Sequence, residues 1–141
     1  MVTRAELQFI LKICRRVAST IAVRLGEIHG TPMGMPLFAA DRTDAKFFAY
    51  TPRHTVPSPA PILAGHIYLC DLLDDEAPER YLRILCHELF HFVDDEKVHE
   101  IVDHGKLGGA LDLPHAQRMH NADNFALFAM HAHLGRAPSP F

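Results

Sequence analysis

Residues 78–94 read PERYLRILCHELFHFVD, and this stretch decides how the rest of the chain is interpreted. Its apolar side chains recur at helical spacing, which predicts a helix that ends near residue 94. Residues 74–76 are all acidic and Pro78 falls in the first turn, and both features favour a helix N-terminus. We therefore expect an amphipathic helix that carries the H-E-x-x-H motif of residues 87–91 in its second half.

The H-E-x-x-H motif indicates a divalent metal ion. His87 and His91 are four residues apart, so on a helix they share one face, with Cβ atoms roughly 5–6 Å apart. That separation lets both imidazoles bind one Zn²⁺ ion at about 2.0–2.1 Å. Glu88 can then act as the general base that takes a proton from a water molecule on the ion. The motif predicts His87 and His91 as metal ligands and Glu88 as a catalytic residue.

A catalytic zinc site usually has three protein ligands, and the motif supplies only two. The candidates for the third are the acidic and histidine residues that follow, namely Asp94, Asp95, His99, Glu100, Asp103 and His104. Asp94 and Asp95 follow too closely, because a continuing helix would turn them away from the ion. Glu100, Asp103 and His104 come after the helix, where a reversal of the chain could return them to it. The residues alone leave these three open.

The composition limits the fold class and the partners. A length of 141 residues predicts one domain, 1–141, and 48% hydrophobic with 22% charged residues is typical of a globular chain. The net charge is −3 with no basic stripe, so we expect no nucleic acid as a partner. No apolar run approaches the ~20 residues that cross a bilayer, so we expect no membrane partner. Three cysteines, Cys14, Cys70 and Cys86, match no zinc-finger spacing and are expected to be buried free thiols.

The elements around the motif predict an α+β fold. A capping box of Thr3 and Glu6 opens a helix over about 3–25 that should end at Gly26. Its predicted apolar stripe comprises Leu7, Ile10, Leu11, Cys14, Val17, Ala18, Ile21 and Leu25. Charged residues interrupt this N-terminal segment, which argues against a secretory signal peptide and leaves a cytoplasmic location or export by a specialised route.

Short strands and a last helix complete the prediction. Strands are expected over 46–51, 62–63 and 67–70, with a proline-rich extended connector over 52–61. Residues 26–45 and 95–112 are predicted to be loops because they are rich in glycine, proline or polar residues. Asp112 and Pro114 should open the last helix, which Gly135 should end.

Three separate stretches together resemble a known family. These are the motif at 87–91, then Asp103, then residues 121–129, which read NADNFALFA. The family is that of the deuterolysin-type metallopeptidases, or aspzincins, which include lysine-specific metalloendopeptidases. Its pattern is H-E-x-x-H, then D-x-x-Y, then N-A-D-x-x-x-x-F-A on a later helix. The resemblance covers about residues 46–130 and implies a zincin-like α+β fold: an N-terminal helix, a small and mostly antiparallel sheet, the active-site helix and a C-terminal helix.

The resemblance also implies residue roles. It makes Asp103 the third zinc ligand beside His87 and His91. Lys106 stands where the family has a tyrosine that donates to the oxyanion, a role that its ammonium or His104 could fill. Asp123 would support the metal-bearing loop or a histidine ligand, or line the substrate pocket. We expect Asn121, like Asn124, to be a hydrogen-bonding group of the loop or helix, with a place in the substrate pocket as the alternative.

Lysine specificity is not expected. Lysine-specific relatives have a glutamate three residues after the aspartate of N-A-D, and this chain has Ala126 there.

The sequence thus predicts a zinc-dependent endopeptidase acting on a peptide or protein. A similar domain occurs as an effector toxin carried by bacterial secretion-spike proteins, which would imply an exported effector with an inhibitor or immunity protein as partner. One alternative is a zinc-containing module that binds a peptide or partner and has lost turnover through Lys106. Another is a metal-free scaffold with a coincidental motif. Metal analysis and the Glu88→Gln variant distinguish the three.

Overall fold

A computed structural model describes residues 1–30, 37–43, 46–52, 66–93, 97–98 and 107–138, with backbone only for 25–30 and 107–108. Within these residues the chain is α+β, with five α-helices and one three-stranded sheet. The elements are α1 (Arg4–Gly30), β1 (Phe38–Asp41), β2 (Ala49–Tyr50), β3 (Ile67–Cys70), α2 (Pro78–Val93), α3 (Leu107–Asp112), α4 (His115–Arg118) and α5 (Ala122–Leu134), with a 3₁₀ turn at Asp71–Leu73 before α2. No helix in the described part of the chain has the length and apolar character needed to cross a bilayer.

The sheet is mixed, so the expectation of a mostly antiparallel sheet was wrong. Its order is β1-β3-β2, with β1 parallel to β3 and β2 antiparallel to β3. Strand β3 was predicted correctly, whereas the strand expected over 46–51 is only two residues long. Strand β1 lies in a predicted loop, because its sequence FAAD has no β-branched residue to indicate a strand. The predicted strand at 62–63 and nearly all of the connector lie outside the described residues.

Helix α2 is the centre of the molecule and begins and ends as the sequence predicts. One side packs on α1 and α5, where Phe90 and Val93 meet Ile13 and Phe125. The other side packs on the sheet, where Phe92 meets Ile67. Burying a side chain such as Phe92 contributes about 1.5–3 kcal/mol. These contacts on both sides fix the orientation of the face that carries the motif.

The N-terminal helix begins as predicted and ends later. The capping box is confirmed, since the Thr3 N–H donates to Glu6 Oε2 at 2.7 Å and the Glu6 N–H donates to Thr3 Oγ1 at 3.2 Å. Gly26 does not end α1, which continues to Gly30, so that prediction was wrong. A single glycine inside a helix costs only about 1 kcal/mol, which a long helix can absorb.

The predicted apolar stripe of α1 is confirmed only in part, since its members that pack on the core are Ile10, Cys14, Val17 and Ile21. Leu7 and Leu11 are exposed, whereas Ile13, Thr20 and Arg24 are buried. Thr20 and Arg24 are polar, so the hydrophobic pattern did not assign them to the buried side of the helix. Arg16 reaches α2 and donates from Nη2 to the carbonyl oxygen of Val93 at 2.6 Å.

The C-terminal third contains more helical breaks than expected. Helix α3 lies within a predicted loop, and the predicted last helix is divided into α4 and α5, with Asn121 in extended backbone before α5. Gly135 ends α5 as predicted, with φ of 67° and its N–H donating to the carbonyl oxygen of His131. Phe125 is buried, whereas Phe128 is 46% exposed.

The three cysteines are free thiols, as predicted, although only Cys70 is fully buried. Cys14 and Cys86 are half-buried. Burial raises the pKa of the Cys86 thiol to about 11 and also raises that of Cys14. These thiols are therefore protonated at neutral pH, when they are weak metal ligands.

Candidate metal centre

The motif residues lie on the interior side of α2. His87 and Glu88 are 0% and 3% exposed, and His91 is half-buried. Buried polar side chains of this kind need hydrogen-bond partners, because an unsatisfied buried polar group costs about 1–3 kcal/mol. The partners come from α5, from the residue after β2 and from the segment after α2.

The two histidine rings face each other across one helical turn. The Nε2 atoms of His87 and His91 are 3.0 Å apart, and the ring planes are tilted by 69°. Two nitrogen ligands at about 2.0–2.1 Å from a tetrahedral zinc ion are about 3.3–3.4 Å apart. The two nitrogens therefore lie within a few tenths of an ångström of the spacing that a shared ion requires.

The contacts of Nδ1 in each histidine bear on which ring nitrogen carries the proton. Nδ1 of His87 is 3.1 Å from Oδ1 of Asp123, and Nδ1 of His91 is 3.3 Å from the carbonyl oxygen of Val98. A carboxylate and a carbonyl oxygen only accept hydrogen bonds, so these two contacts favour the tautomer with N–H at Nδ1 in each neutral ring, whereas a hydrogen bond between the Nε2 atoms would need an N–H at one of them. In the favoured tautomer both Nε2 atoms present lone pairs.

In the tautomer with N–H at Nδ1, the lone pairs of the two Nε2 atoms point toward each other, which bears on whether the residues suit a metal ion. Two lone pairs at 3.0 Å repel each other unless something positive lies between them. A divalent cation or a shared proton would remove this repulsion. Metal-binding histidines commonly donate the other ring N–H to a carboxylate or a backbone carbonyl, as both rings do here. The arrangement therefore fits an ion such as Zn²⁺.

Asp123 connects the later helix to the first histidine. It lies in the first turn of α5, is 1% exposed, and places Oδ1 between His87 and Nη2 of Arg83, which is 3.2 Å away. A contact with a histidine is one of the roles predicted for Asp123, and its role at a metal centre stays a prediction. Arg83 lies one turn before His87 on α2 and is 2% exposed.

Glu88 has a partner from the sheet. The Thr51 hydroxyl directly after β2 lies 2.7 Å from Glu88 Oε2 and 3.2 Å from the Glu88 carbonyl oxygen. A hydroxyl has one hydrogen to donate, and the shorter distance assigns it to the carboxylate. Thr51 therefore restricts the rotation of the Glu88 carboxylate.

Asn121 is a fully buried hydrogen-bonding residue, in line with its predicted role. Its Nδ2 donates to Oδ1 of Asn124 at 2.7 Å, and Nδ2 of Asn124 donates to the carbonyl oxygen of Ala110 at 3.1 Å. These bonds join the start of α5 to α3 and so help to place Asp123.

The remaining predicted site residues lie outside the described residues. They are Asp103, His104 and Lys106, together with the other candidates for the third ligand, Asp94, Asp95, His99 and Glu100. Within the part of the chain that the structure describes, no group of three His, Cys, Asp or Glu residues could hold a metal ion. The described part of the centre is thus a pair of histidines with their supporting residues.

Comparisons with known proteins returned no match. No protein-family model matches the chain. No similar curated protein and no similar solved structure was found. The interpretation of the centre therefore depends on its own residues.

Three residues of the centre were missed by the sequence analysis. Arg83 carried a signal, since an arginine four residues before His87 lies on the same face of an otherwise apolar helix. Thr51 and the carbonyl group of Val98 carried none, because their contacts depend on how the sheet and the segment after α2 pack.

Proposed function

We propose that this chain is a zincin-like, zinc-dependent endopeptidase of the aspzincin type. The observation that carries the proposal is the pair of Nε2 atoms at 3.0 Å, each with its Nδ1 directed at an acceptor. The buried contact between Asp123 and His87 adds support, because it joins the N-A-D sequence to the H-E-x-x-H sequence in space.

The side chains of the centre suit peptide hydrolysis. A zinc ion held by the histidines would supply a polarised water molecule and a Lewis acid for the substrate carbonyl oxygen. The Glu88 carboxylate is next to the first ligand, where it can accept a proton from water and pass it to the leaving amine. Thr51 would hold that carboxylate in one orientation through Oε2. No serine or cysteine nucleophile is needed.

The third ligand and the oxyanion donor are proposed from the resemblance. Asp103 would complete the ligand set, with Glu100 and His104 as the alternatives. Lys106 or His104 would donate to the oxyanion. The proposed substrate is a peptide or protein, and an exported effector with an inhibitor or immunity protein as partner remains part of the proposal.

Metal analysis and a peptidase assay test the proposal. We expect the purified protein to bind about one zinc ion. Glu88→Gln should keep the zinc and lower hydrolysis of a protein substrate by about 10²–10⁴-fold, because only the general base is lost. Glu79→Gln is a matched control, since Glu79 lies in the first turn of the same helix and should leave the rate unchanged. Protein that holds no zinc, even after reconstitution, would contradict the proposal.

A second function is favoured by Lys106, which stands at the position of the family tyrosine. Losing an oxyanion donor typically costs about 10²–10³ in rate, so this chain could be a zinc-containing module that binds a peptide or partner. Zinc binding with no hydrolysis above the Glu88→Gln level, restored by Lys106→Tyr, would favour that function.

A further inference from the structure

The Asp123 carboxylate contacts two side chains of α2 through one oxygen. Oδ1 lies 3.1 Å from Nδ1 of His87 and 3.2 Å from Nη2 of Arg83. The two partners are four residues apart, so they lie on one face of α2, and α5 presents the carboxylate to both. All three residues are 2% exposed or less.

Stability alone is a weak reason for such an arrangement. Removing a guanidinium and a carboxylate from water costs several kcal/mol per ion, and well-packed apolar residues are often as stable in the same place. The position of the pair suggests a different role. A carboxylate paired with a guanidinium only accepts hydrogen bonds, so the imidazole proton of His87 is held at Nδ1.

We propose that Arg83 is a positioning residue of the metal centre, which acts through Asp123 to direct the Nε2 lone pair of His87 toward His91. This inference rests on the proposed function, because it assigns Arg83 a part in the same centre. The guanidinium supplies the counter-charge of Asp123 at 3.2 Å and so keeps it a carboxylate that accepts from His87. Asp123 in turn fixes the ring orientation and tautomer of His87, so a metal ion meets a preformed donor.

The competing interpretation is that Arg83 only joins α2 to α5. A second ion pair offers a matched control, because Arg136, just after α5, lies 2.8 Å from Glu79 in the first turn of α2. That pair links α2 to the residues just after α5, and more than half of the Arg136 side chain is exposed. Arg136→Met therefore removes a link between the helices without changing the contacts of His87.

The first experiment measures zinc affinity by competition with a chromophoric chelator at one pH. Supporting residues of this kind typically contribute about 10–100-fold to metal affinity. We expect Arg83→Met to weaken zinc binding by about tenfold, Asp123→Leu by about 10–100-fold, and Arg136→Met not at all. Arg83→Lys should recover part of the loss, since it restores the charge without the planar fork.

The double variant separates positioning from a general structural effect. Because Arg83 acts through Asp123, Arg83→Met should cause no further loss of zinc affinity in the Asp123→Leu background. The double variant also removes both buried charges, so it should fold even where a single variant does not. Wild-type affinity in Arg83→Met, or an equal loss in both backgrounds, would overturn the inference.

A second experiment needs no metal. Long-range ¹H–¹⁵N spectra of the metal-free protein report which ring nitrogen of His87 carries the proton. We expect Nδ1–H in the wild type and in Arg136→Met, and a mixture of tautomers in Arg83→Met. An unchanged tautomer in Arg83→Met would contradict the positioning role. Wild-type protein that binds no zinc but shows the expected tautomers would instead contradict the proposed function alone.

Discussion

Two arginine–carboxylate pairs join α2 to the C-terminal segment, and they differ both in their surroundings and in their geometry. Arg83 and Asp123 are 3.2 Å apart, with side chains 3% and 2% exposed. Arg136 and Glu79 are closer, at 2.8 Å, but their side chains are 55% and 20% exposed. The shorter distance therefore belongs to the pair that water screens more effectively.

The comparison shows that an ion-pair distance does not indicate the importance of a pair. An exposed pair loses little solvation when it forms and gains little in return, whereas a buried pair becomes costly as soon as one partner is removed. The buried pair also contacts His87 through Asp123 Oδ1, whereas the exposed pair lies at the first turn of α2, eight residues before that histidine. Burial and the third partner together distinguish the Arg83–Asp123–His87 contacts from a surface ion pair.

The largest expected effect comes from removing one buried charge. Asp123→Leu leaves the guanidinium of Arg83 without this carboxylate in a dry interior, and we expect a loss of about 3–5 kcal/mol in the free energy of unfolding. Arg83→Met combined with Asp123→Leu should recover most of that loss. Urea unfolding of the wild type, the single variant and the double variant measures both. If the double variant is less stable than the single one, the pair contributes more to folding than the comparison allows.

A smaller effect, on the rate of hydrolysis, is expected at the half-buried Thr51, whose hydroxyl contacts the Glu88 carboxylate. Thr51→Val keeps the shape but removes the hydroxyl donor. If the chain is a peptidase, kcat should fall by about tenfold, which corresponds to ~1.4 kcal/mol and is within the range for a hydrogen bond to a charged group. Zinc affinity should not change, because Thr51 does not contact either histidine through this bond.

Thr51→Ser is the control, because it keeps the donor and loses only a methyl group. It should retain most of the wild-type kcat. Equal losses of kcat in the two variants would show that packing, and not the hydrogen bond, is what Thr51 supplies.

The exposed pair should contribute least among the contacts between α2 and the C-terminal segment. We expect Arg136→Met to lower the free energy of unfolding by no more than about a fifth of the Asp123→Leu effect. The difference should shrink further in high salt, which screens exposed charges. Urea unfolding at two salt concentrations measures it, and a loss as large as that of the buried pair would remove the distinction.

A pH-dependent effect on stability is expected at the N-terminal end of α1, where the Glu6 carboxylate accepts the hydrogen bond from the Thr3 N–H. The backbone hydrogen bond from Thr3, together with the contact to His115, lowers the pKa of Glu6 from 4.5 to about 2. A lowered folded-state pKa adds stability above the unfolded value, and this is lost as pH falls from about 4.5 toward 2. The Tm deficit of Glu6→Gln should thus be largest near neutral pH and shrink in acid; a constant deficit would contradict this.

The parts of the fold that were predicted correctly are those with strong local signals. Helix α2 combines an acidic N-terminus, a first-turn proline and regular apolar spacing, and it begins and ends as expected. The capping box of Thr3 and Glu6 and the αL residue Gly135 are likewise fixed by neighbouring residues. Local chemistry is sufficient at such positions because the partners are within a few residues.

The errors occurred where tertiary contacts decide the structure. The buried face of α1 includes Thr20 and Arg24, which no hydrophobic pattern would assign to an interior. Strand β1 exists because it pairs with β3 from far along the chain, with Phe38 opposite Ile67. Two parallel strands are not joined by a short turn, so no turn sequence indicates this pairing.

The sequence indicated only those residues of the candidate centre that are close together in the chain. His87, Glu88 and His91 are close in sequence, so their spacing was enough to identify them. The contact of Asp123 with His87 spans 36 residues and was expected only through the resemblance. Arg83 was missed because its partner is on another helix, and Asp103 and Lys106 lie outside the described residues.

The hydrogen bond from Arg16 to the carbonyl oxygen of Val93 makes the C-terminal end of α2 depend on the N-terminal helix. Val93 is the last residue of α2, two positions beyond the second motif histidine, and its carbonyl group belongs to the electron-rich end of that helix. A cation from α1 at 2.6 Å ties down this end from 77 residues away. Shortening the chain from the N-terminus beyond residue 16 would thus remove this hydrogen bond and weaken the last turn of α2, which carries His91.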